Sequence, residues 1–336
     1  MPEHHALSPA PMIALTHEKQ EHAETLLVNW LMGDTCTLAC RYCAPSLHEG
    51  AHAWVDLPTV RSFHGRVAAQ YRSGHTRRIY YCLNGGEITC HPQLPEIAAF
   101  LKKEECGIAL LSNGNREQGY WETILPDADH LCLSYHPSGM TEKRFIETVA
   151  VAIPLVTTHV NIMMDPDHFE RSRALGEYLL EHFDTFTMNV PPLMRRLGLD
   201  SSLMDYTDEQ RRIMTGLETA AAHIRQRRIP AGYRGAMVAH MSDGTLETIS
   251  AGQLFGLNRT CFRGWECGAG LEMISIFYDG DIYPAWCFEG NKMNRIGNVH
   301  DSVLRFPDRP QICPFDICWD NSDIMMTKRR RISATQ

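Results

Sequence analysis

A chain of 336 residues with 44% hydrophobic residues, 21% charged residues and a formal net charge of -8 has room for two domains or one large α/β barrel, and its acidic balance argues against a nucleic-acid backbone as its main partner. No apolar run reaches the roughly 20 residues of a membrane span, and residues 1–20 lack the apolar stretch of a signal peptide. Twelve cysteines without a leader point to metal or catalytic chemistry in a reducing cytoplasm, not to a disulfide framework.

After a flexible N-terminus over residues 1–24, Thr25 to Met32 reads as the first strand, and the loop behind it carries Cys36, Cys40 and Cys43. Leu57 to Ser73 reads as a helix and Arg78 to Leu83 as a strand that ends at Asn84, Gly85, Gly86 and Glu87. Pro92 to Glu105 is a helix with proline near its start, and Ile108 to Leu111 a third strand leading into Ser112, Asn113 and Gly114. The alternation continues through His130 to Ser134, Thr141 to Ala152, Leu155 to Met164, Asp167 to His182 and Thr185 to Val190. Six strands separated by amphipathic stretches over residues 25–192 are the pattern of βα units and a parallel sheet. Pro191 and Pro192 break it, and residues 193–234 form a helical bridge, Thr207 to Arg228, with Thr207 and Gln210 in capping-box positions. Residues 235–320 read as a small domain of hairpins with Asp243-Gly244 and Asp279-Gly280 turns. Residues 321–336 remain as a tail, in which Lys328 to Arg331 form a solvated basic run.

The cysteine loop carries the most specific chemistry. Three residues and then two separate Cys36, Cys40 and Cys43, a spacing that holds three irons of a four-iron cube and leaves the fourth open to an exogenous chelator. Ferredoxin runs supply cysteine to every iron, and structural zinc closes with four ligands; zinc on a chance cluster of thiols is the competing assignment. With the aromatic Tyr42 just before its last cysteine, the triad resembles the signature of the radical S-adenosylmethionine (SAM) enzymes.

That resemblance implies an α/β fold, a partial (β/α)6 TIM-like barrel with its reactive loops at the C-terminal ends of the strands. It also implies that Asn84, Gly85, Gly86 and Glu87 match the family's GGE motif, which binds the amino group of the SAM methionine. Paired glycines let a ligand approach the backbone, and a carboxylate accepts charge-assisted hydrogen bonds from an ammonium; a plain turn is the alternative. Ser112, Asn113 and Ser134 stand where relatives place SAM contacts, and Tyr42 joins them. His136 and Met163 to Asp165 face the same cavity, His136 being read first as a packed or solvated histidine and second as a general base or substrate contact.

Cys261, Cys267, Cys287, Cys313 and Cys318 form a second group, around residues 259–320, that resembles the twitch or SPASM auxiliary-cluster domain. Five cysteines suffice for one auxiliary [4Fe-4S] cluster, on Cys261, Cys267, Cys287 and one of Cys313 and Cys318, with structural zinc as the alternative. Cys82, Cys90, Cys106 and Cys132 are expected as core thiols.

Together these features imply an enzyme that cleaves SAM reductively to a 5'-deoxyadenosyl radical, abstracts hydrogen from its substrate and passes an electron to the auxiliary cluster, in natural-product or cofactor biosynthesis. A reducing partner such as flavodoxin or ferredoxin is expected. Only 24 residues precede the first strand, too few for a leader-recognition domain, which favours a small polar metabolite (a sugar, nucleoside or amino-acid derivative) over a ribosomally made peptide. A non-catalytic iron–sulfur electron carrier or a zinc-binding module is the reading from another class.

Overall fold

The computed structural model describes residues 10–74, 76, 78–196, 200–228 and 236–331. Its elements begin with β1 (Met12–His17), α1 (Gln20–Ala23), β2 (Thr25–Leu31), α2 (Leu57–Tyr71), β3 (Arg78–Asn84), α3 (Leu94–Lys103), β4 (Gly107–Ser112), α4 (Gln118–Ile124) and β5 (His130–Tyr135). There follow α5 (Glu142–Ala152), β6 (Thr157–Ile162), α6 (Phe169–His182), β7 (Phe186–Asn189), β8 (Met194–Arg196), β9 (Asp200–Leu203) and α7 (Asp208–Arg228). The C-terminal part adds β10 (Met237–Met241), β11 (Leu246–Ile249), α8 (Ala251–Gly256), β12 (Glu266–Cys267), β13 (Met273–Ile276) and β14 (Asp281–Tyr283). It ends with α9 (Trp286–Gly290), β15 (Gly297–Asn298), β16 (Gln311–Ile312), α10 (Asn321–Ile324) and β17 (Lys328–Arg329).

Strands β2 to β7 pair in parallel and in chain order, the partial (β/α)6 barrel expected from the alternation. Their outward side chains, among them Val28, Trp30, Tyr81, Leu83, Leu110, Leu133 and Val160, share one core with Phe63 of α2, Ile97 of α3, Trp121 of α4 and Phe145 of α5. Trp30 and Phe63 meet edge to face at 5.1 Å, and full burial of one such side chain contributes about 1.5–3 kcal/mol. Helix starts follow from capping chemistry: Asp56 accepts from the Thr59 amide at 2.9 Å to open α2, and Thr207 and Gln210 exchange both bonds of a capping box ahead of α7.

Four expectations from sequence are corrected. The hairpin that turns at Asp279-Gly280 does not stay in a separate domain: β13 pairs in parallel with β2, so the barrel sheet runs β15-β14-β13-β2-β3-β4-β5-β6-β7. Neither is the N-terminal segment merely flexible, because β1 pairs with β10 and β17 and Leu15 is fully buried. Nor are residues 321–336 a solvated tail throughout: α10 and β17 pack into the C-terminal sheet, ordered β11-β10-β1-β17-β12-β16, and Lys328 is buried. Local polarity suggested solvent; a partner strand drawn from the far end of the chain overrides it. The bridge, expected helical, also opens with the β8–β9 hairpin.

On the inner face of the barrel, Leu27, Tyr80, Cys82 and Ala109 belong to a second core with Phe262, Met273, Phe288 and Ile324. The C-terminal elements thus pack beneath the inner face of β2 to β4. Along β5 to β7 the inward positions are polar and half-buried, alternating with fully buried outward ones. No helix among the described residues is long and apolar enough to cross a membrane.

Candidate active site

Chain leaves β2 through Gly33 and Asp34 into the cysteine loop, at the C-terminal mouth of the barrel where the sequence placed it. Asp34 is 1% exposed and accepts from the Ala51 and His52 amides at 3.1 and 3.2 Å, with His52 Nδ1 at 2.8 Å, so it ties the return of the loop to its start. Burial pushes the Asp34 carboxyl up, but these bonds outweigh it and hold the group below its ordinary value. Arg41 anchors the middle of the loop to Asp165 at 2.5 Å and Asp167 at 2.6 Å, beyond the end of β6.

Cys40 is buried and Cys36 and Cys43 half-buried, near enough for their charges to act on one another. Leu38 N–H donates to Cys36 Sγ at 3.3 Å, and Asn113 Nδ2 donates to Thr37 Oγ1 at 3.2 Å. Burial raises Cys36 to about 11, with the charges of Glu87, Cys40 and Cys43 adding to it. Cys40 and Cys43 are raised by burial as well, Cys40 against hydrogen bonds from Tyr42 and Ser138. His136 Nδ1 lies 2.8 Å from the Tyr42 hydroxyl and 3.5 Å from Cys40 Sγ, and its ring stacks on Tyr42. Burial lowers His136 to about 4, which leaves an uncharged imidazole stacked on Tyr42 at neutral pH.

The glycines of the GGE turn lie against main chain. A Cβ on Gly85 would lie 2.7 Å from the Gly33 carbonyl oxygen, and one on Gly86 2.4 Å from the carbonyl oxygens of both Leu47 and Thr35. What approaches the turn is the cysteine loop itself, bonded through Gly86 N to Gly33 O at 3.0 Å and Glu87 N to Thr35 O at 2.8 Å. The motif is therefore a mould for the loop.

Glu87, 1% exposed, accepts from Thr89 N at 3.0 Å, Thr89 Oγ1 at 2.7 Å and Ser112 Oγ at 2.7 Å on one oxygen, and from Asn113 N at 2.7 Å on the other. It acts first as a bracket joining the ends of β3 and β4. Glu87→Gln is expected to lower the unfolding free energy of the apo chain by about 1–3 kcal/mol in a urea titration, because an amide NH2 would then face protein donors.

Asn84 donates to Asn29 Oδ1 at 2.9 Å, and Asn29 donates to Ser322 Oγ of α10 at 3.4 Å. A polar chain thus runs from the GGE strand through the inner face to the C-terminal part. Ser134 lies across the inner face, 3.5 Å from Asn161 Nδ2, which also donates to Cys132 Sγ at 3.3 Å. Sequence reasoning missed the set beside it: His159 Nδ1 is 2.6 Å from Thr187 Oγ1, and its Nε2 is 3.1 Å from Asn161 Oδ1 and 3.2 Å from Asn189 Nδ2. The signal was present, since the polar positions of β6 and β7 alternate with apolar ones and name an inward face.

The second cysteine group also comes together. Cys313 N–H donates to Trp265 O at 2.9 Å, Cys318 N–H to Thr260 O at 2.9 Å, and Cys287 N–H to Asp323 Oδ2 at 2.8 Å. Cys267, Cys287, Cys313 and Cys318 are buried in the second core, and Cys261 is exposed at its edge. Burial raises the four buried thiols, and neighbouring cysteines add to it: Cys267 and Cys318 act on Cys287, and Cys261 on Cys313. Cys82 shares this core from the barrel side, and Cys106 is buried elsewhere, both as expected; Cys90 and Cys132 are only half-buried.

Among the described residues, no three His, Cys, Asp or Glu side chains are gathered closely enough to hold a single metal ion. Thiolates on one zinc lie about 4 Å apart, given Zn–S bonds of about 2.3 Å. A cube seats each thiolate on its own iron, and both donor sets offer only sulfur, the ligand type of such a cube.

No protein-family model and no curated protein sequence matches the chain. Solved structures do share its fold. The structure of anSMEcpe with bound AdoMet aligns with a TM-score of 0.52 at 14% identity, covering 84% of this chain and 76% of that one. Streptococcus suis SuiB bound to S-adenosylmethionine aligns at 0.51 and 14%, covering 85% of this chain and 66% of SuiB. SuiB bound to its precursor peptide SuiA aligns at 0.52 and 13%, covering 85% and 65%. The chain spans just under two thirds of SuiB. What the likeness establishes is the architecture, a partial parallel barrel continued by C-terminal elements.

Proposed function

We propose that the chain is a radical SAM enzyme, with one [4Fe-4S] cube on Cys36, Cys40 and Cys43 and an auxiliary cube on Cys261, Cys267, Cys287 and one of Cys313 and Cys318. The observation that carries this reading is the three-thiol loop seated on the Gly85-Gly86-Glu87 turn at the mouth of the barrel, in a fold shared with proteins solved with SAM bound. The chemistry such a cube supplies, once SAM is bound and an electron arrives from a flavodoxin- or ferredoxin-like donor, is release of a 5'-deoxyadenosyl radical that removes hydrogen from a substrate.

The chain's own residues set the geometry. Arg41, Asp165 and Asp34 fix the loop, Glu87 holds Ser112 and Asn113 beside it, and Tyr42 with His136 closes the side next to Cys40. Beneath them, Asn29, Asn84, Ser134, Asn161, Thr187 and Asn189 offer amide and hydroxyl groups, and His159 an imidazole. Such a lining pairs with hydroxyl and carbonyl groups and leaves a buried charge unpaired at a cost, which favours a small neutral polar metabolite such as a sugar or nucleoside. The auxiliary cysteines share a core with the inner-face residues Tyr80 and Cys82, a placement suited to accepting an electron from an oxidised substrate. The second reading, maturation of a ribosomally made peptide, draws on the likeness to SuiB bound to precursor peptide SuiA.

Anaerobic reconstitution with iron and sulfide should load about eight irons per chain, two cubes, and reduction with dithionite in the presence of SAM should yield 5'-deoxyadenosine. A loaded protein that forms none would overturn the enzyme reading in favour of an electron carrier, and stoichiometric zinc would overturn both.

A further inference from the structure

We propose that Lys328 is the buried counter-cation of the auxiliary cysteine site and raises the reduction potential of the cluster held there; this rests on the auxiliary-cluster reading above. Lys328 is 1% exposed, lying on β17 between β1 and β12, directly opposite Leu15 on one side and Cys267 on the other. Its Nζ donates to the main-chain carbonyls of Asp323, Ile324 and Met326 at 2.5, 2.9 and 3.3 Å, which uses all three ammonium protons. It also stands 5.0 Å from the centre of the Phe262 ring.

Among the described residues no carboxylate pairs with it. Asp323 turns its oxygens to the amides of Trp286 and Cys287, and Glu272 turns one of its own to the Thr327 amide and His17. A buried cation without a counter-ion is costly, and its cross-strand neighbour on β12 is Cys267. Cys267 in turn lies in one core with Cys287, Cys313 and Cys318. Four thiolates on a cube make a net negative site whose reduction adds one more negative charge, so a fixed cation beside it stabilises the reduced form. Net charge and hydrogen bonding are established levers on iron–sulfur potentials. The ability to take up an electron is what the proposed oxidation requires of this cluster.

The test uses the full chain carrying Cys40→Ala, so that the auxiliary cluster alone is read, reconstituted and titrated with dithionite under EPR. Lys328→Gln keeps an NH2 donor for the carbonyls and removes only the charge. It is expected to lower the reduced-to-oxidised ratio at a fixed poise about tenfold, equivalent to 59 mV for a one-electron couple. Lys328→Arg, which restores the charge, should return the ratio to within about threefold of its parent, taking tenfold as the full effect. An iron-loaded Gln variant with an unshifted midpoint would overturn the proposal and leave Lys328 as a cap on α10. A Cys40→Ala parent that binds no iron would overturn the auxiliary-cluster reading and this proposal with it. Should the Gln variant not fold, Lys328→Met in the same titration carries the same two outcomes.

Discussion

Cys40→Ala is expected to bring 5'-deoxyadenosine formation by the reconstituted, reduced chain down to the level seen without protein, and to lower bound iron from about eight to about four per chain. Cys40 is 7% exposed, with His136, Tyr42 and Ser138 around its sulfur. A cube on three thiolates has no ligand to spare, and two leave half its irons without protein. The loss should be one of ligation, not folding, because the loop is held independently: Arg41 reaches Asp165 and Asp167, Asp34 holds residues 51 and 52, and the GGE turn binds Gly33 and Thr35. Retention of the four auxiliary irons in the variant provides the internal check. Product formed at the wild-type rate after Cys40 is removed would sink the three-thiolate assignment.

The auxiliary irons are an independent check only if the two cysteine groups lie in different packing units, and they do. Cys40 and Tyr42 pack with Leu193 and Leu38 at the barrel mouth, whereas Cys267, Cys287, Cys313 and Cys318 belong to the core that fills the inner face from below. Side-chain changes at sites without shared partners act independently to within a few tenths of a kcal/mol.

Much of this arrangement was legible in the sequence because its signals are local. Runs such as Leu26 to Leu31 and Ile79 to Leu83 have the apolar, β-rich character of buried parallel strands, and each lies inside the strand it suggests. Thr207 and Gln210 announced a helix start three residues apart, and the spacing of Cys36, Cys40 and Cys43 announced a loop with three thiols at the end of β2. What sequence reasoning missed is non-local. Nothing in Met273 to Ile276 indicates that it will pair in parallel with β2, more than two hundred residues earlier, instead of staying with the hairpins around it. Nor does a Lys-Arg-Arg-Arg run advertise that its first member is buried opposite Leu15 and Cys267. Such pairings are decided by which edges remain open once the barrel has formed, information that periodicity does not contain.

Gly86 shows how the local and non-local signals combine at the site, and its replacement is the second large effect. An alanine there would place its Cβ 2.4 Å from the carbonyl oxygens of Thr35 and Leu47, both main-chain atoms that no side-chain rotation can move. Relief requires the cysteine loop to withdraw, breaking the 3.0 Å bond from Gly86 N to Gly33 O or the 2.8 Å bond from Glu87 N to Thr35 O. A loop displaced by about 1 Å no longer presents three thiolates to the corners of one cube, and misplacement on that scale costs about a hundredfold in rate even where ligation survives. Gly86→Ala is therefore expected to lose the barrel cluster, with iron falling toward about four per chain, as two cubes become one, and 5'-deoxyadenosine falling at least about a hundredfold. Gly119→Ala supplies the control: nothing lies within 4 Å of its added methyl inside α4, so full iron and a gain of about 0.4–1 kcal/mol in stability are expected. Wild-type iron and product in Gly86→Ala would mean that the GGE turn does not shape the cysteine loop, and that its glycines answer to a ligand after all.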